Sequence, residues 1–264
     1  MASRQLGIDS STSVSVTADG GRRPERWDDP APKVRCVDIV LVAGLWLPNS
    51  IWADVCRELE SRGHRPLPVA LPGVDDASTT ATLADQVAAV LAAVDNADRA
   101  MVVGHSAACT LAWIVADRRS DTISRVVLVG GFPSSEGDAY ADFFPTVGGM
   151  MTFPGWAPFE GADAADLDQA DRERIAAGAV PVPEGVSKGT VRLSDDRRFQ
   201  VPVLLVCPEY NPDQAKAWIE AGDVPELSRA EHVAFVNLDS GHWPMVSRPT
   251  ELAEILDAAT EEAP

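Results

Sequence analysis

Basic residues are scarce in this chain. It has 22 lysines and arginines against 40 aspartates and glutamates, which gives a formal net charge of −18 at pH 7. A field of that sign repels the phosphates of nucleic acids and the anionic headgroups of membranes. We therefore expect no nucleic-acid partner and no membrane partner.

Cysteines and long apolar runs are also few. Cys36, Cys56, Cys109 and Cys207 lack the spacing of a CxxC motif or a metal site, which predicts free thiols in a reducing compartment. No apolar run reaches the roughly 18 residues of a membrane-spanning helix, and the N-terminus has no signal-peptide core. A glycine-rich phosphate loop is also missing. We expect a cytoplasmic protein that acts on a small-molecule substrate without a cofactor or metal; a homodimer stays open.

The stretch 104–108 carries the strongest chemical signal. It reads Gly-His-Ser-Ala-Ala, follows the apolar run 100–103 and precedes a helix-like segment at 109–115. A serine between a strand and a helix is the nucleophile elbow of the G-x-S-x-G pattern, in which small neighbours let the two backbones approach closely. Alanine, the next smallest residue, replaces the last glycine. The sequence therefore predicts that Ser106 is a nucleophile.

A serine nucleophile needs an adjacent base, and the chain has only four histidines. His242 follows the apolar strand 233–236 in a Ser-Gly-His turn, which places the base last in the chain. His105 is predicted to pack beside the elbow and point away from the hydroxyl. His64 is interpreted as a solvated loop residue and His232 as a structural residue at the start of a strand. We therefore predict that His242 is the catalytic base.

Strands and helices alternate along most of the chain, which predicts an α/β fold with a mostly parallel central sheet and helices on both faces. Trp52 and Trp113, each on a predicted helix, are expected in the core. Residues 1–32 are polar and rich in chain-breaking residues, so they are predicted to form a flexible tail before a domain at 33–264. The predicted strands cover 35–43, 66–70, 100–104, 124–130, 201–206 and 232–238, and the predicted helices cover 51–62, 82–97, 107–118, 212–221 and 249–260.

The segment 132–199 interrupts this alternation before the penultimate strand. It is rich in aromatic residues, methionine, glycine and proline, which predicts a cap over the active site. Its apolar side chains either line a substrate pocket or attach the cap to the domain, because ligand pockets are mostly apolar. The candidate substrate contacts, in the cap and beside it, are Trp46, Phe144, Met151, Trp156 and Trp243.

The sequence resembles the α/β-hydrolase superfamily over residues 37–131 and 200–260. The resemblance is to its small branch of plant methyl-ester esterases, hydroxynitrile lyases and actinobacterial esterase-like proteins. Ala43 stands where members usually carry histidine before a glycine. The residue after His242 is Trp243, whereas hydroxynitrile lyases of this branch carry lysine there, which argues against cyanohydrin chemistry. The segments that carry the resemblance are 37–46, 50–52, 70–73, 104–108 and 241–244.

The resemblance implies an oxyanion hole formed by two backbone N–H groups, those of Leu45 and Ala107. A backbone donor does not depend on its side chain, so Ala43 puts the geometry of the loop in question rather than the mechanism. Members usually carry histidine at that position, where it shapes the loop by hydrogen bonding.

The resemblance also implies a carboxylate in the loop after the strand 201–206. Related sequences commonly have an aspartate there, but Tyr210 and Asn211 occupy the expected positions. Glu209 is nearest the end of the strand and has the longer reach, so we prefer it to Asp213. Two alternatives stay open: the acid lies elsewhere in the chain, or the chain has no such acid.

Two functions fit these residues. The first is a serine hydrolase that cleaves a small or medium, largely apolar carboxylic ester, thioester or lactone through an acyl-enzyme. The second is a non-hydrolytic lyase or cyclase-like enzyme, or a ligand-binding protein, on the same scaffold, since one fold hosts several chemistries. Ser106 and His242 together favour hydrolysis.

Overall fold

A parallel sheet of six strands forms the centre of the computed structural model, which describes residues 36–261. The predicted tail at 1–32 lies outside these residues. The predicted α/β fold with a mostly parallel sheet is confirmed, and each predicted sheet strand is present with its ends shifted by a few residues. The strands are β1 (Asp38–Val42), β2 (Arg65–Pro68), β3 (Ala100–His105), β4 (Ile123–Val129), β5 (Met150–Met151), β6 (Val182–Pro183), β7 (Val203–Cys207) and β8 (Val233–Asn237).

The sheet has the order β2-β1-β3-β4-β7-β8, and all of its neighbouring strands are parallel. Its central strands are almost entirely apolar and buried, because helices cover both faces of the sheet. Parallel strands point their carboxyl ends at one edge, so the loops after β3, β7 and β8 meet there.

Helices cover the two faces separately. On one face α2 and α3 pack on Val40 and Val102, and on the other face α1 and α9 pack on Ile39 and Val103. Consecutive strand residues lie on opposite faces because the side chains of a strand alternate with a period of two. The helices are α1 (Ala53–Ser61), α2 (Leu83–Asp95), α3 (Ala108–Arg118), α4 (Gln169–Gly178), α5 (Glu184–Ser187), α6 (Pro212–Ala221), α7 (Pro225–Ser228), α8 (Pro244–Ser247) and α9 (Pro249–Ala258).

Trp52 and Trp113 are fully buried, one in the core of each face, as the sequence predicts. The prediction for His64 is wrong. Its side chain is buried, and Nε2 lies 2.7 Å from Oδ1 of Asp257 in α9. The burial of His64 depends on tertiary packing, because α9 packs on α1 and so covers the turn that carries His64.

The segment 132–199, called the cap segment below, leaves the sheet after β4 and returns to it at β7. It contains the short antiparallel pair of β5 and β6, together with α4 and α5. Short 3₁₀ helices lie at Ala157–Phe159, Ala162–Ala164 and Asp196–Gln200, the last of them continuing to the residue after the segment. None of the helices between residues 36 and 261 has the length and apolar character to cross a bilayer.

A buried ionic group attaches the end of the cap segment to the domain. Nη1 of Arg198 lies 3.2 Å from a carboxylate oxygen of Asp117 in α3, and its Nε lies 3.0 Å from Glu226 in α7. The indole N–H of Trp113 donates to the same Glu226 oxygen over 2.9 Å. A buried charge is costly unless it is paired in this way. We call Asp117, Arg198 and Glu226 the Arg198 cluster.

Candidate active site

Ser106 lies in the sharp turn between β3 and α3. Its φ is 55°, in the left-handed region that a residue with a side chain adopts at a cost of roughly 1–3 kcal/mol. The turn is held by the Ser106 N–H, which donates over 2.8 Å to the carbonyl of Val129 at the end of β4. The strained turn places the hydroxyl at the edge of the sheet where the loops meet.

His242 follows β8 and faces this hydroxyl. Its Nε2 lies 2.9 Å from Oγ of Ser106. Its backbone is held on two sides, because its N–H donates to the carbonyl of Asp163 over 2.7 Å and its own carbonyl lies 2.7 Å from Nε2 of His105. The backbone that carries the ring is therefore held by contacts with the elbow and with the cap segment.

Glu209 is the carboxylate beside His242. It follows β7 by two residues, and its Oε1 lies 2.8 Å from Nδ1 of His242. Gly130, at φ +61°, leaves room for this pair, since a Cβ there would lie 3.3 Å from both Oε2 of Glu209 and Nδ1 of His242. Asp213 lies outside the site: its side chain is 93% exposed and pairs with Lys216.

This geometry assigns the tautomer of His242. A carboxylate beside Nδ1 accepts a hydrogen bond, so Nδ1 carries the proton and Nε2 is left to accept from the hydroxyl of Ser106. Each group is therefore oriented by the next one, which is the arrangement that activates a weak nucleophile.

His105 is buried directly behind His242, with the two ring centroids 4.9 Å apart. Burial, with a smaller contribution from His242, lowers the pKa of His105 from 6.5 to about 3. The neutral ring donates from Nε2 to the His242 carbonyl, while its Nδ1 has no partner among the described residues. Sequence reasoning placed His105 beside the elbow but missed this contact with the backbone of His242, which joins residues far apart in the chain.

The residues of the two predicted oxyanion donors lie near Ser106, since Leu45 lines the same cavity as Ser106 and Ala107 follows Ser106 in the chain. Leu45 lies in the turn 44–47, which is closed by the N–H of Leu47 donating to the carbonyl of Gly44 over 3.3 Å. Within residues 36–261, neither the Leu45 nor the Ala107 N–H group donates to a protein acceptor.

A cavity of about 50 Å³ lies over Ser106. Ligand pockets usually measure about 300–1,000 Å³, so this cavity holds only a very small group as it stands. Its lining includes neither lysine nor arginine. The residues that line it are Leu45, Trp46, Leu47, His105, Ser106, Phe143, Phe144, Phe159, His242 and Trp243. A larger cavity, of about 530 Å³, opens at the amino ends of the strands and contains none of these residues.

The structure separates the five predicted substrate contacts. Trp46, Phe144 and Trp243 line the cavity, whereas Met151 and Trp156 do not. Met151 is fully buried and binds Trp46 through its carbonyl, and Trp156 packs on Trp243 with ring centroids 5.2 Å apart. The cap segment also contributes Phe143 and Phe159, which nothing in the sequence distinguished from its other aromatic residues.

A metal site is not formed by the described residues. Between residues 36 and 261, no group of three or more histidine, cysteine or acidic side chains could hold a metal ion. The four cysteines are free thiols.

The sequence profile of the alpha/beta hydrolase family matches residues 39–255. No curated protein has significant sequence similarity to this chain.

Three solved structures illustrate the shared fold. An extracellular α/β-hydrolase from a Paenibacillus species, described as structurally and functionally homologous to tobacco salicylic acid binding protein 2, is 19% identical with a TM-score of 0.68, and the match covers 84% of this chain and 98% of that chain. A methylesterase from Arabidopsis is 15% identical with a TM-score of 0.67, covering 85% and 98%. Tomato methylketone synthase I in complex with 2-tridecanone is 14% identical with a TM-score of 0.66, covering 87% and 100%.

Proposed function

The chain belongs to the alpha/beta hydrolase family, and on that premise we propose that it is a serine hydrolase. Its substrate is a small or medium, largely apolar carboxylic ester, thioester or lactone, cleaved through an acyl-enzyme. The observation that carries the proposal is the unbroken chain from Glu209 through His242 to Ser106, with contacts of 2.8 Å and 2.9 Å.

The proposed reaction uses these three side chains and two backbone N–H groups. Oγ of Ser106 attacks the acyl carbon while Nε2 of His242 takes the hydroxyl proton, and Glu209 stabilises the imidazolium that forms. The N–H groups of Leu45 and Ala107 bind the oxyanion of the tetrahedral intermediate. The imidazolium then protonates the leaving alcohol or thiol, which leaves the acyl group on Ser106. A water molecule, deprotonated by His242, releases the acid and restores the hydroxyl.

The surroundings of Ser106 support a neutral, apolar acyl group. The cavity wall is mainly aromatic and aliphatic, and no cation lies on it to pair with a carboxylate. The chain's net charge of −18 also disfavours anionic substrates. The cap segment supplies the wall residues Phe143, Phe144 and Phe159, so these are the side chains that a larger acyl group would meet.

A fluorophosphonate label tests the proposal, because it reacts only with an activated serine. We expect one label per chain, found by peptide mapping on Ser106, and turnover of p-nitrophenyl acetate or butyrate. Folded Ser106→Ala protein is the matched control and should take up no label. A folded wild-type protein that neither reacts with the label nor turns over short esters would show that the proposal is wrong.

The non-hydrolytic alternative rests on Ala43, which is buried among apolar residues where members of the family usually have a histidine. Mass spectrometry of the protein during turnover separates the two functions. A transient mass increase equal to the acyl group supports hydrolysis, whereas conversion without an acyl adduct and without dependence on Ser106 supports the alternative. The cytoplasmic location and the absence of nucleic-acid, membrane and cofactor partners stay predictions.

A further inference from the structure

Trp46 has a backbone conformation that a bulky residue rarely adopts. Its φ is 65°, in the left-handed region where glycine is usual. It occupies the turn 44–47, called the oxyanion loop here, directly after Leu45, the proposed oxyanion donor. Strained residues persist only where surrounding contacts hold them, and they concentrate at functional sites.

The cap segment holds Trp46 through both its side chain and its backbone. The indole N–H donates to the carbonyl of Met151 over 3.0 Å in a buried contact, and the N–H of Val180 donates to the Trp46 carbonyl over 2.9 Å. Three aromatic rings of the cap segment surround the indole at centroid distances between 5.5 and 6.2 Å; they belong to Phe144, Phe153 and Phe159.

The elbow confines the other side of the oxyanion loop. A Cβ on Gly44 would lie 2.9 Å from Nδ1 of His105 and 3.0 Å from Cβ of Ser106, so the loop is already in close contact with the nucleophile's turn. Ala43, just before the loop, is buried and has no polar side chain to fix it. The polar contacts that hold the Trp46 side chain and carbonyl therefore come from the cap segment.

We propose that Trp46 is a positioning residue through which the cap segment holds the oxyanion loop in its strained conformation and aims the Leu45 N–H at the substrate's oxyanion. This inference rests on the proposed hydrolase function. The cavity over Ser106 measures about 50 Å³ and is lined by both Trp46 and Phe144. Admitting a larger acyl group therefore disturbs these cap contacts, and closing over the substrate restores them. When the cap segment closes over the substrate, it therefore also completes the oxyanion hole, which is a form of induced fit.

Two substitutions at Trp46 test this inference. Trp46→Phe removes the N–H donor to Met151 and keeps a ring, whereas Trp46→Gly removes every side-chain contact and relieves the left-handed strain. With p-nitrophenyl acetate we expect kcat to fall about 10-fold in the first and about 100-fold in the second, since loss of one oxyanion donor lowers kcat about 10²- to 10³-fold. In Trp46→Phe, which keeps a ring in the cavity wall, KM should change by less than about threefold, because the oxyanion forms only in the transition state.

A second readout reports on the oxyanion hole directly. A trifluoromethyl ketone adds to Ser106 and places its oxyanion in the hole, so its affinity should weaken in parallel with kcat/KM. Trp113→Phe is the matched control, because Trp113 also donates a buried indole N–H, over 2.9 Å, but to Glu226 outside the site. We expect this control to lower the melting temperature and leave kcat and ketone affinity unchanged.

The outcomes separate this inference from the proposed function. If the wild type reacts with fluorophosphonate while both Trp46 variants keep wild-type kcat and ketone affinity, the inference is wrong and the hydrolase function stands. If Trp113→Phe loses kcat as much as Trp46→Phe does, the loss is general destabilisation and the inference is again wrong. If the wild type does not react at all, the proposed function fails first. Should Trp46→Gly fail to fold, Trp46→Phe alone decides.

Discussion

The Ser106–His242–Glu209 chain and the Arg198 cluster are built from the same kind of contact, but their surroundings differ. Each joins a carboxylate to a nitrogen group from another part of the sequence: Glu209 lies 2.8 Å from His242, and Glu226 lies 3.0 Å from Arg198. The side chains of His242 and Glu209 are each 15% exposed beside the cavity, whereas those of Arg198 and Glu226 are 4% and 7% exposed.

The two networks also differ in what they join. In the Arg198 cluster, one Glu226 oxygen binds both Arg198 and Trp113, and one Asp117 oxygen also accepts two backbone N–H groups. The cluster joins α3, α7 and the end of the cap segment, whereas Ser106 and His242 border the cavity. Substitutions in the Arg198 cluster should therefore change stability, and substitutions in the chain at Ser106 should change activity.

Removing the base should produce the largest effect. We expect His242→Ala to lower kcat for short esters about 10⁶-fold, since a nucleophile and its base act as one unit. Stability should change far less than activity, because the ring borders the cavity. Ester turnover and the urea unfolding midpoint check both expectations. A folded His242→Ala protein with wild-type kcat would place the base elsewhere.

Glu209→Gln should come next. The amide keeps the shape but no longer stabilises the imidazolium, so we expect kcat to fall about 10²- to 10⁴-fold with little change in KM. Asp213→Asn is the matched control: Asp213 is exposed at the start of α6, and its variant should keep wild-type kcat. Comparable losses in the two variants would contradict the placement of Glu209.

Arg198→Met tests the other network. It leaves the Asp117 and Glu226 carboxylates buried without their cation, so we expect the free energy of unfolding to fall by about 3–5 kcal/mol. Because the cluster does not border the cavity, kcat measured below the unfolding transition should stay at the wild-type value. A stable variant with impaired kcat would mean that the cluster and the site are coupled.

His105→Gln addresses a residue that shares features of both networks, since it contacts His242 but is as buried as Arg198. The folded-state pKa of about 3 lies below the ordinary 6.5, so the unfolded chain takes up a proton first as the pH falls. Wild-type stability should therefore decrease below about pH 6.5, by about 2 kcal/mol more than that of the variant between pH 7 and pH 5. Glutamine keeps a donor for the His242 carbonyl. If the urea midpoints of the wild type and the variant change in parallel between pH 7 and pH 5, the lowered pKa of His105 is contradicted.

The predicted sheet and long helices needed only local patterns. β3 and α3 flank the elbow because an apolar run meets a small-residue turn and a second apolar run. The helices that sequence reasoning missed lack such a pattern. α5, α7 and α8 have four residues each, too few to establish a helical period, and α4 buries only Ile175.

The sequence by itself determined the α/β architecture, the elbow at Ser106 and the position of His242 after the last strand, because each depends on neighbouring residues. Only the tertiary structure decided that Glu209 rather than Asp213 meets His242, that α9 buries His64, and that the cap segment holds Trp46 in a left-handed conformation. The contacts of His242 join residues 33 and 136 positions apart. Their distances depend on how strands and helices pack, and no local pattern of apolar and polar residues records that packing.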